Sequence, residues 1–95
     1  MLRIEALEIE VESLDKIESK HGVTLVEAEE VCFCPLRQVR RGRDGLYKIF
    51  SQTDSGRYLL VVLAHLYDGI WKVVTARAMT STERTLYNEQ KGDSK

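Results

Sequence analysis

Two apolar, β-branched runs, residues 59–66 and 70–75, constrain the fold of this chain more than any other feature. They are joined by Asp68-Gly69. An Asp-Gly pair between two such runs is the strongest short-range signal for a β-hairpin, because a type I′ turn requires positive φ at both central residues. The pattern therefore predicts two antiparallel strands.

A two-residue loop sets the expected register of this hairpin. The register pairs Tyr67 with Ile70, Leu63 with Val74, Val61 with Ala76 and Leu60 with Arg77. It places Leu59, Val61, Leu63, Val74 and Ala76 on one face and Leu60, Val62, Ala64, Trp71 and Val73 on the other, and it sets His65 opposite Lys72. The first strand is apolar on both sides, which is typical of the middle of a covered sheet. Arg77 is the exception, since a guanidinium there needs a carboxylate, a ligand or solvent.

The totals indicate a single domain, residues 1–95, with an ordinary globular composition of 43% hydrophobic and 31% charged residues. No apolar run approaches the roughly 20 residues of a membrane helix, and the first residues lack the pattern of a signal peptide. We therefore expect a cytoplasmic protein. Cys32 and Cys34 are too close for an unstrained disulfide, so free thiols are expected.

The net charge of −1 conceals a marked asymmetry along the chain. Residues 1–34 carry three cations and nine anions, a balance of −6, whereas residues 35–57 carry six cations and two anions, a balance of +4. Such polarity favours either an anionic partner for the basic segment or contact between this segment and the acidic start of the chain.

The remaining elements follow from periodicity and capping signals. Residues 7–11 alternate as an edge strand, and a short helix from Ser13 ends at Gly22. Capping boxes at residues 24–27 and 80–83 open a second helix and a last one. Strands at 36–41 and 46–53 precede the hairpin. We predict an α+β domain with an antiparallel sheet of four to five strands, two N-terminal helices and one C-terminal helix, the helices packing on one face of the sheet.

Several short motifs occur together and in order along most of the chain. They are Lys20-His21-Gly22-Val23, Glu27-Ala28, Val31, Pro35, Arg57, Leu60-Val61-Val62, Thr75-Ala76-Arg77-Ala78, Thr80, Glu83-Arg84 and Tyr87. In this combination the chain resembles the BrnT family of toxins. The resemblance implies a RelE-like ribonuclease fold and an antitoxin partner, BrnA, encoded beside the toxin.

The activity implied by the resemblance is cleavage of messenger RNA without a metal or cofactor, which would inhibit translation. Such cleavage needs a base for the attacking 2′-hydroxyl, cations for the phosphorane and an acid for the leaving oxygen. The resemblance selects Lys20, His21 and Arg77 as catalytic candidates. Arg37, Arg40, Arg41 and Arg57 are the candidate RNA-binding residues, although alternation along a strand separates Arg40 from Arg37 and Arg41.

Structural interpretations compete with each of these assignments. His21 is also explained as a residue at a helix end, and Lys20 as a surface lysine that the helix dipole favours. Arg77 is also explained as the partner of Glu83 in a salt bridge. Glu83 itself is explained as a capping-box residue. Edge-strand charges that prevent aggregation would account for part of the basic segment.

Two hypotheses remain after this reading of the sequence. The first is a toxin-like endoribonuclease held silent by its antitoxin. The second is a non-catalytic interaction module that binds another protein or its own copy as a homodimer. The second hypothesis is favoured by the first helix, where Ser13 and Ile17 stand at positions at which the family usually carries a lysine and an asparagine.

Overall fold

A computed structural model describes residues 3–93 of the chain, with side chains for residues 3–90. The elements are strand β1 (Ala6–Glu8), helices α1 (Val11–His21) and α2 (Leu25–Phe33), strands β2 (Gln38–Arg41), β3 (Tyr47–Gln52), β4 (Tyr58–Tyr67) and β5 (Ile70–Ala78), and helix α3 (Ser81–Asp93). The strands form one sheet in the order β1-β5-β4-β3-β2. The predicted α+β class, with five strands and three helices, is confirmed.

The sheet is mixed, which corrects the prediction of an antiparallel one. Strands β2 to β5 form an antiparallel meander, but β1 lies at the edge parallel to β5. The predicted strand over residues 7–11 is also shorter and earlier than expected. Val11 already belongs to α1, because the amide of Leu14 donates to the carbonyl of Glu10 and starts the helical ladder there.

The β4–β5 hairpin has the predicted turn, but its register changes along its length. Tyr67 pairs with Ile70, Val61 with Ala76 and Leu60 with Arg77 as predicted, whereas Leu63 pairs with Val73 and His65 with Trp71. Leu66 is an extra, unpaired residue on β4 and Val74 is one on β5. The second bulge restores the register that the first one shifts. A bulged residue shifts the alternation of faces on its strand.

This irregularity corrects the predicted faces of β5. Val73 and Trp71 are buried with Val61 instead of opposite it, and Val74 is 36% exposed. His65 lies opposite Trp71, not Lys72, with ring centroids 4.7 Å apart. Alternation read from the turn therefore fails between the two bulges and holds again beyond the second.

Two apolar clusters lie on opposite sides of the sheet. The larger joins α1 and α2 to the sheet through Ile17, Ala28, Val31, Cys32, Leu59, Val61, Leu63, Trp71, Val73 and Ala76. The smaller joins α3 to the other face through Phe50, Leu60, Met79 and Tyr87. The prediction that all helices share one face is wrong, because α3 must bury Tyr87 and the face behind β4 is apolar as well.

Local capping signals are realised as predicted. Gly22 adopts φ 62° and ends α1, and both capping boxes form: Glu27 N donates to Thr24 Oγ1 at 3.1 Å and Glu83 N to Thr80 Oγ1 at 3.2 Å. Cys32 and Cys34 are free thiols, as expected. Across residues 3–93, every helix is too short or too polar to cross a membrane.

Candidate functional site

Arg77 is held by a carboxylate at the end of β5. Its Nη1 and Nη2 donate to the two oxygens of Glu83 at 2.8 and 3.0 Å, and Nη1 also donates to the carbonyl of Ala78. The Arg77 guanidinium holds the pKa of Glu83 below its usual value against the opposing effect of burial. The arginine side chain nevertheless remains 37% exposed, so the pair is not sealed from solvent.

The strand register brings further cations to the same face of the sheet. Arg77 of β5 pairs with Leu60 of β4, which pairs on its other side with Phe50 of β3. Two residues before Phe50, and on the same face, Lys48 of β3 pairs with Arg40 of β2. Residues directly opposite each other in antiparallel strands point to the same side. Arg40, Lys48 and Arg77 therefore share the face on which α3 packs.

A cavity of about 170 Å³ lies between α3 and the β2–β3 end of this face. It is lined by Gln38, Arg40, Arg41, Lys48, Phe50, Glu83, Leu86 and Tyr87. We call it the basic groove. Arg40, Arg41 and Lys48 form no salt bridge with any carboxylate of the described residues, whereas Glu83 is already neutralised by Arg77. The groove therefore carries an excess of positive charge.

Tyr87 anchors α3 beside the groove. Its hydroxyl donates to the carbonyl of Leu36 at 3.2 Å and lies 3.4 Å from Ser51 Oγ, while Gln38 Nε2 donates to the Tyr87 carbonyl at 2.9 Å. Burial raises the pKa of the phenol. Tyr87 is thus a packing residue that fixes the groove wall, and its hydroxyl stays protonated at neutral pH.

A second arginine–glutamate pair lies where α1, α2 and β4 meet. Arg57 Nη1 donates to both oxygens of Glu27 at 2.9 and 2.8 Å and to the carbonyl of Gly22 at 3.0 Å. Lys20 and His21 are exposed in the last turn of α1, immediately before that carbonyl. The structure therefore associates these two candidates with Arg57.

Lys20 and His21 do not line the basic groove. Helix α1 packs through Ile17 on the face opposite α3, whereas Arg77 lies on the α3 face. The three predicted catalytic residues are thus divided between the two sides of the sheet. Among the predicted RNA-binding residues, Arg40 and Arg41 line the groove, Arg37 is half-buried before β2 and Arg57 is on the α1–α2 side.

The structure adds residues that the sequence-based candidates do not include. Lys48 lines the groove beside Arg40. In the sequence, its position next to the apolar Ile49, which is buried, indicates that Lys48 points to the opposite face of the strand. Arg84 of α3 stacks its guanidinium 4.4 Å from the ring centroid of Tyr58, the first residue of β4. No local pattern in the sequence links Arg84 to Tyr58, because their contact depends on how α3 packs against the sheet.

The groove can supply positive charge to a phosphate and one ionised carboxylate, Glu83, but no imidazole. Within residues 3–93, no cluster of three or more His, Cys, Asp or Glu side chains is arranged to hold a metal ion. The basic groove is therefore an anion-binding surface, and Glu83 is the one carboxylate among the residues that line it.

Comparison with known proteins supports the fold. No protein-family model matches the chain, and no curated protein matches it significantly. The crystal structure of the Brucella abortus ribonuclease toxin BrnT superposes with a TM-score of 0.68, covering 80% of this chain and 97% of that one at 10% sequence identity. The resemblance seen in the sequence is thus confirmed at the level of the fold.

Proposed function

We propose that this protein is a toxin-like endoribonuclease that cleaves messenger RNA without a metal ion and is held silent by an antitoxin. The observation that carries the proposal is the convergence of Arg40, Lys48 and Arg77 on one partly open face of a sheet with the BrnT fold. Arg40 and Lys48 line the basic groove, and Arg77 lies on the same face, bound to the Glu83 that lines it. Such a group of cations suits a phosphodiester backbone.

The proposed reaction needs no group from outside the protein and its substrate. The 2′-oxygen attacks the adjacent phosphorus and loses its proton to a base. The bond to the 5′-oxygen then breaks and that oxygen takes a proton from an acid, leaving a 2′,3′-cyclic phosphate and a 5′-hydroxyl. Arg77 and Lys48 would stabilise the charge of the phosphorane. Glu83, the carboxylate that lines the groove, would take the proton of the 2′-hydroxyl and then return it to the leaving oxygen.

Lys20 and His21 remain candidates in this proposal as a separate contact site for the RNA. They directly precede Gly22, whose carbonyl accepts a hydrogen bond from Arg57, and the Arg57 side chain is 40% exposed despite its pairing with Glu27. An RNA strand that reaches both sites must pass around the end of the sheet. Cleavage by Lys20→Ala and His21→Ala variants tests whether that second site contributes.

The first prediction is that Arg77→Ala reduces cleavage of RNA about 100-fold, the usual cost of removing one preorganised group that stabilises developing charge. Initial rates on a labelled messenger RNA in excess EDTA measure the effect. Arg3→Ala is the matched control, because Arg3 also pairs with a glutamate but lies near the Asp68-Gly69 turn. Circular dichroism of both variants verifies the fold.

Two results would contradict the proposal. One is a folded wild-type protein that neither binds nor cuts RNA at low salt. The other is equal loss of cleavage in Arg77→Ala and Arg3→Ala.

A second candidate function is a non-catalytic interaction module with the same fold. The bidentate pair between Arg77 and Glu83 favours it, because a guanidinium already satisfied by a carboxylate has less to offer a phosphate. Expression in a bacterium distinguishes the two. Growth arrest that Arg77→Ala abolishes supports the nuclease, and normal growth with abundant folded protein supports the module.

A further inference from the structure

Strand β2 is the outermost strand of the sheet on the side away from β1. The amide of Gly42 donates to the carbonyl of Leu46 at 2.7 Å and closes the β2–β3 hairpin. In an antiparallel pair, hydrogen-bonded positions alternate with positions whose backbone groups point outward. Arg40 and Gln38 therefore bond to β3, and Val39 and Arg41 direct their N–H and C=O groups away from it.

Nothing in the described part of the chain pairs with this outer edge. The sheet order ends at β2, and the chain leaves it on both sides through loops. Unpaired N–H and C=O groups in a row are a template for another strand. The edge is short, but it is neither bulged nor interrupted by proline in residues 38–41.

Exposed apolar side chains accompany the free backbone. Phe33, Leu36 and Val39 are 43%, 53% and 38% exposed, and all three lie in the segment from the end of α2 into β2. Three large exposed apolar side chains within seven residues of the free edge favour a protein contact there. RNA offers no comparable apolar cover for an exposed leucine.

The charge of the segment identifies the chemistry of the partner. Residues 37–43 contain four arginines and no acid. If a second copy of this chain paired through β2, arginines would oppose arginines, which is destabilising. An acidic segment would instead place its carboxylates against them.

We propose that the outer edge of β2 is the docking site for an extended, acidic protein segment that adds a sixth strand to the sheet. Backbone hydrogen bonds to Val39 and Arg41 would give it register, apolar residues would cover Val39 on one face of the sheet, and acidic residues would meet Arg40 on the other face. The inference goes beyond the proposed function and does not depend on RNA cleavage. A protein without nuclease activity would present the same edge.

The test uses a synthetic peptide of about ten residues that alternates glutamate and valine. Calorimetry should detect its binding to the full chain. A peptide of the same sequence with every backbone nitrogen methylated should bind at least about tenfold more weakly, because it cannot donate to the carbonyls of Val39 and Arg41. Hydrogen exchange at the amides of Val39 and Arg41 should slow when the unmodified peptide binds.

Variants of the chain separate backbone pairing from charge. Val39→Pro removes an outward donor without removing a bond to β3, and Arg40→Glu reverses the charge that the glutamates of the peptide would meet. Both should weaken binding about tenfold or more. Lys16→Glu, an equal charge reversal on α1 near β5, should leave binding unchanged. If the proline variant does not fold, the methylated peptide alone tests backbone pairing, since it leaves the chain unchanged.

Three outcomes would overturn this inference. The first is equal binding of the methylated and unmodified peptides, or no binding of either. The second is protection of the Val39 and Arg41 amides by a short RNA but not by the peptide, which would assign the edge to nucleic acid. The third is protection of these amides by dimerisation of the chain alone. Because RNA cleavage is measured separately, its failure remains distinguishable from a failure here.

Discussion

Two glutamates of this protein each connect a helix start to an arginine, one in strand β5 and one immediately before strand β4. Glu27 completes the capping box of α2 and binds Arg57, and Glu83 completes that of α3 and binds Arg77. A capping interaction contributes about 1 kcal/mol, and a partly exposed ion pair contributes at most about as much again. Each glutamate therefore fixes the direction in which its helix leaves the adjacent loop.

The acid stability of the protein should depend on Glu83. The Arg77 guanidinium lowers the pKa of Glu83, and its usual value is 4.5. A carboxyl with a lowered folded pKa stabilises the fold above its unfolded pKa, and this contribution is lost as pH falls through the folded value. Between about pH 6 and pH 3 the free energy of unfolding should therefore fall more steeply for the wild type than for Glu83→Gln.

Urea unfolding at a series of pH values measures this difference. Arg77→Ala is the matched variant, because it removes the largest cause of the shift and leaves the capping box in place. It should lose part of the same pH dependence. Parallel curves for the wild type and Glu83→Gln would show that the pair does not couple to stability.

At the scale of elements, the end of α1 depends on one backbone conformation. Gly22 has φ 62°, its amide donates to the carbonyl of Glu18, and its own carbonyl accepts from Arg57. Space is available for a methyl group, since no atom lies within 4 Å of a Cβ built there. The requirement for glycine is therefore conformational, not steric.

Gly22→Ala should destabilise the protein by about 1 kcal/mol, the cost of placing an L-residue in the left-handed region. Gly42→Ala is the control, because Gly42 has φ −100° and a Cβ there meets ordinary van der Waals contacts. It should be neutral or slightly stabilising, since alanine restricts the unfolded chain. Thermal unfolding of both variants compares them, and equal destabilisation would refute the conformational explanation.

The β4–β5 hairpin shows where element-level prediction stops. Its turn, pairing partner and central position follow from the apolar runs and Asp68-Gly69. The bulges at Leu66 and Val74 do not, because they satisfy the packing of Trp71 and Val73 under α1 and α2. The indole N–H of Trp71 also donates to the carbonyl of Arg3, far away in sequence.

At the scale of the whole molecule, the sheet separates two cores of unequal size. Cys32 is fully buried in the larger core, and burial raises the pKa of its thiol to about 12. Only a thiolate reacts readily. The reactivity of Cys32 therefore reports opening of the molecule around the sheet.

In a Cys34→Ser background, labelling of Cys32 by a thiol reagent should proceed at the rate set by global unfolding and accelerate with urea. In a Cys32→Ala background, the half-buried Cys34 at the end of α2 should react much faster under native conditions. Mass spectrometry of timed samples measures both rates. Equal native rates would mean that the α1–α2 layer opens without unfolding the sheet.

The candidate site could be predicted only in part. The basic segment, Arg77 and the alternative of a salt bridge to Glu83 were all accessible from residue types and spacing. The grouping was not: Lys20 and His21 lie across the sheet from Arg77, while Lys48 joins Arg40. Which cations share a surface is set by strand order and by the side on which each helix packs, and neither is encoded in short motifs.

The sequence alone determined the four strands of the meander, the presence of three helices, and the caps at Gly22, Thr24 and Thr80, because these depend on contacts between residues a few positions apart. Only the tertiary structure decided the parallel pairing of β1, the placement of α3 opposite α1 and α2, and the bulged face of β5. Those features depend on how apolar surfaces distant in sequence are buried together. The basic groove and the free edge of β2 are consequences of that packing.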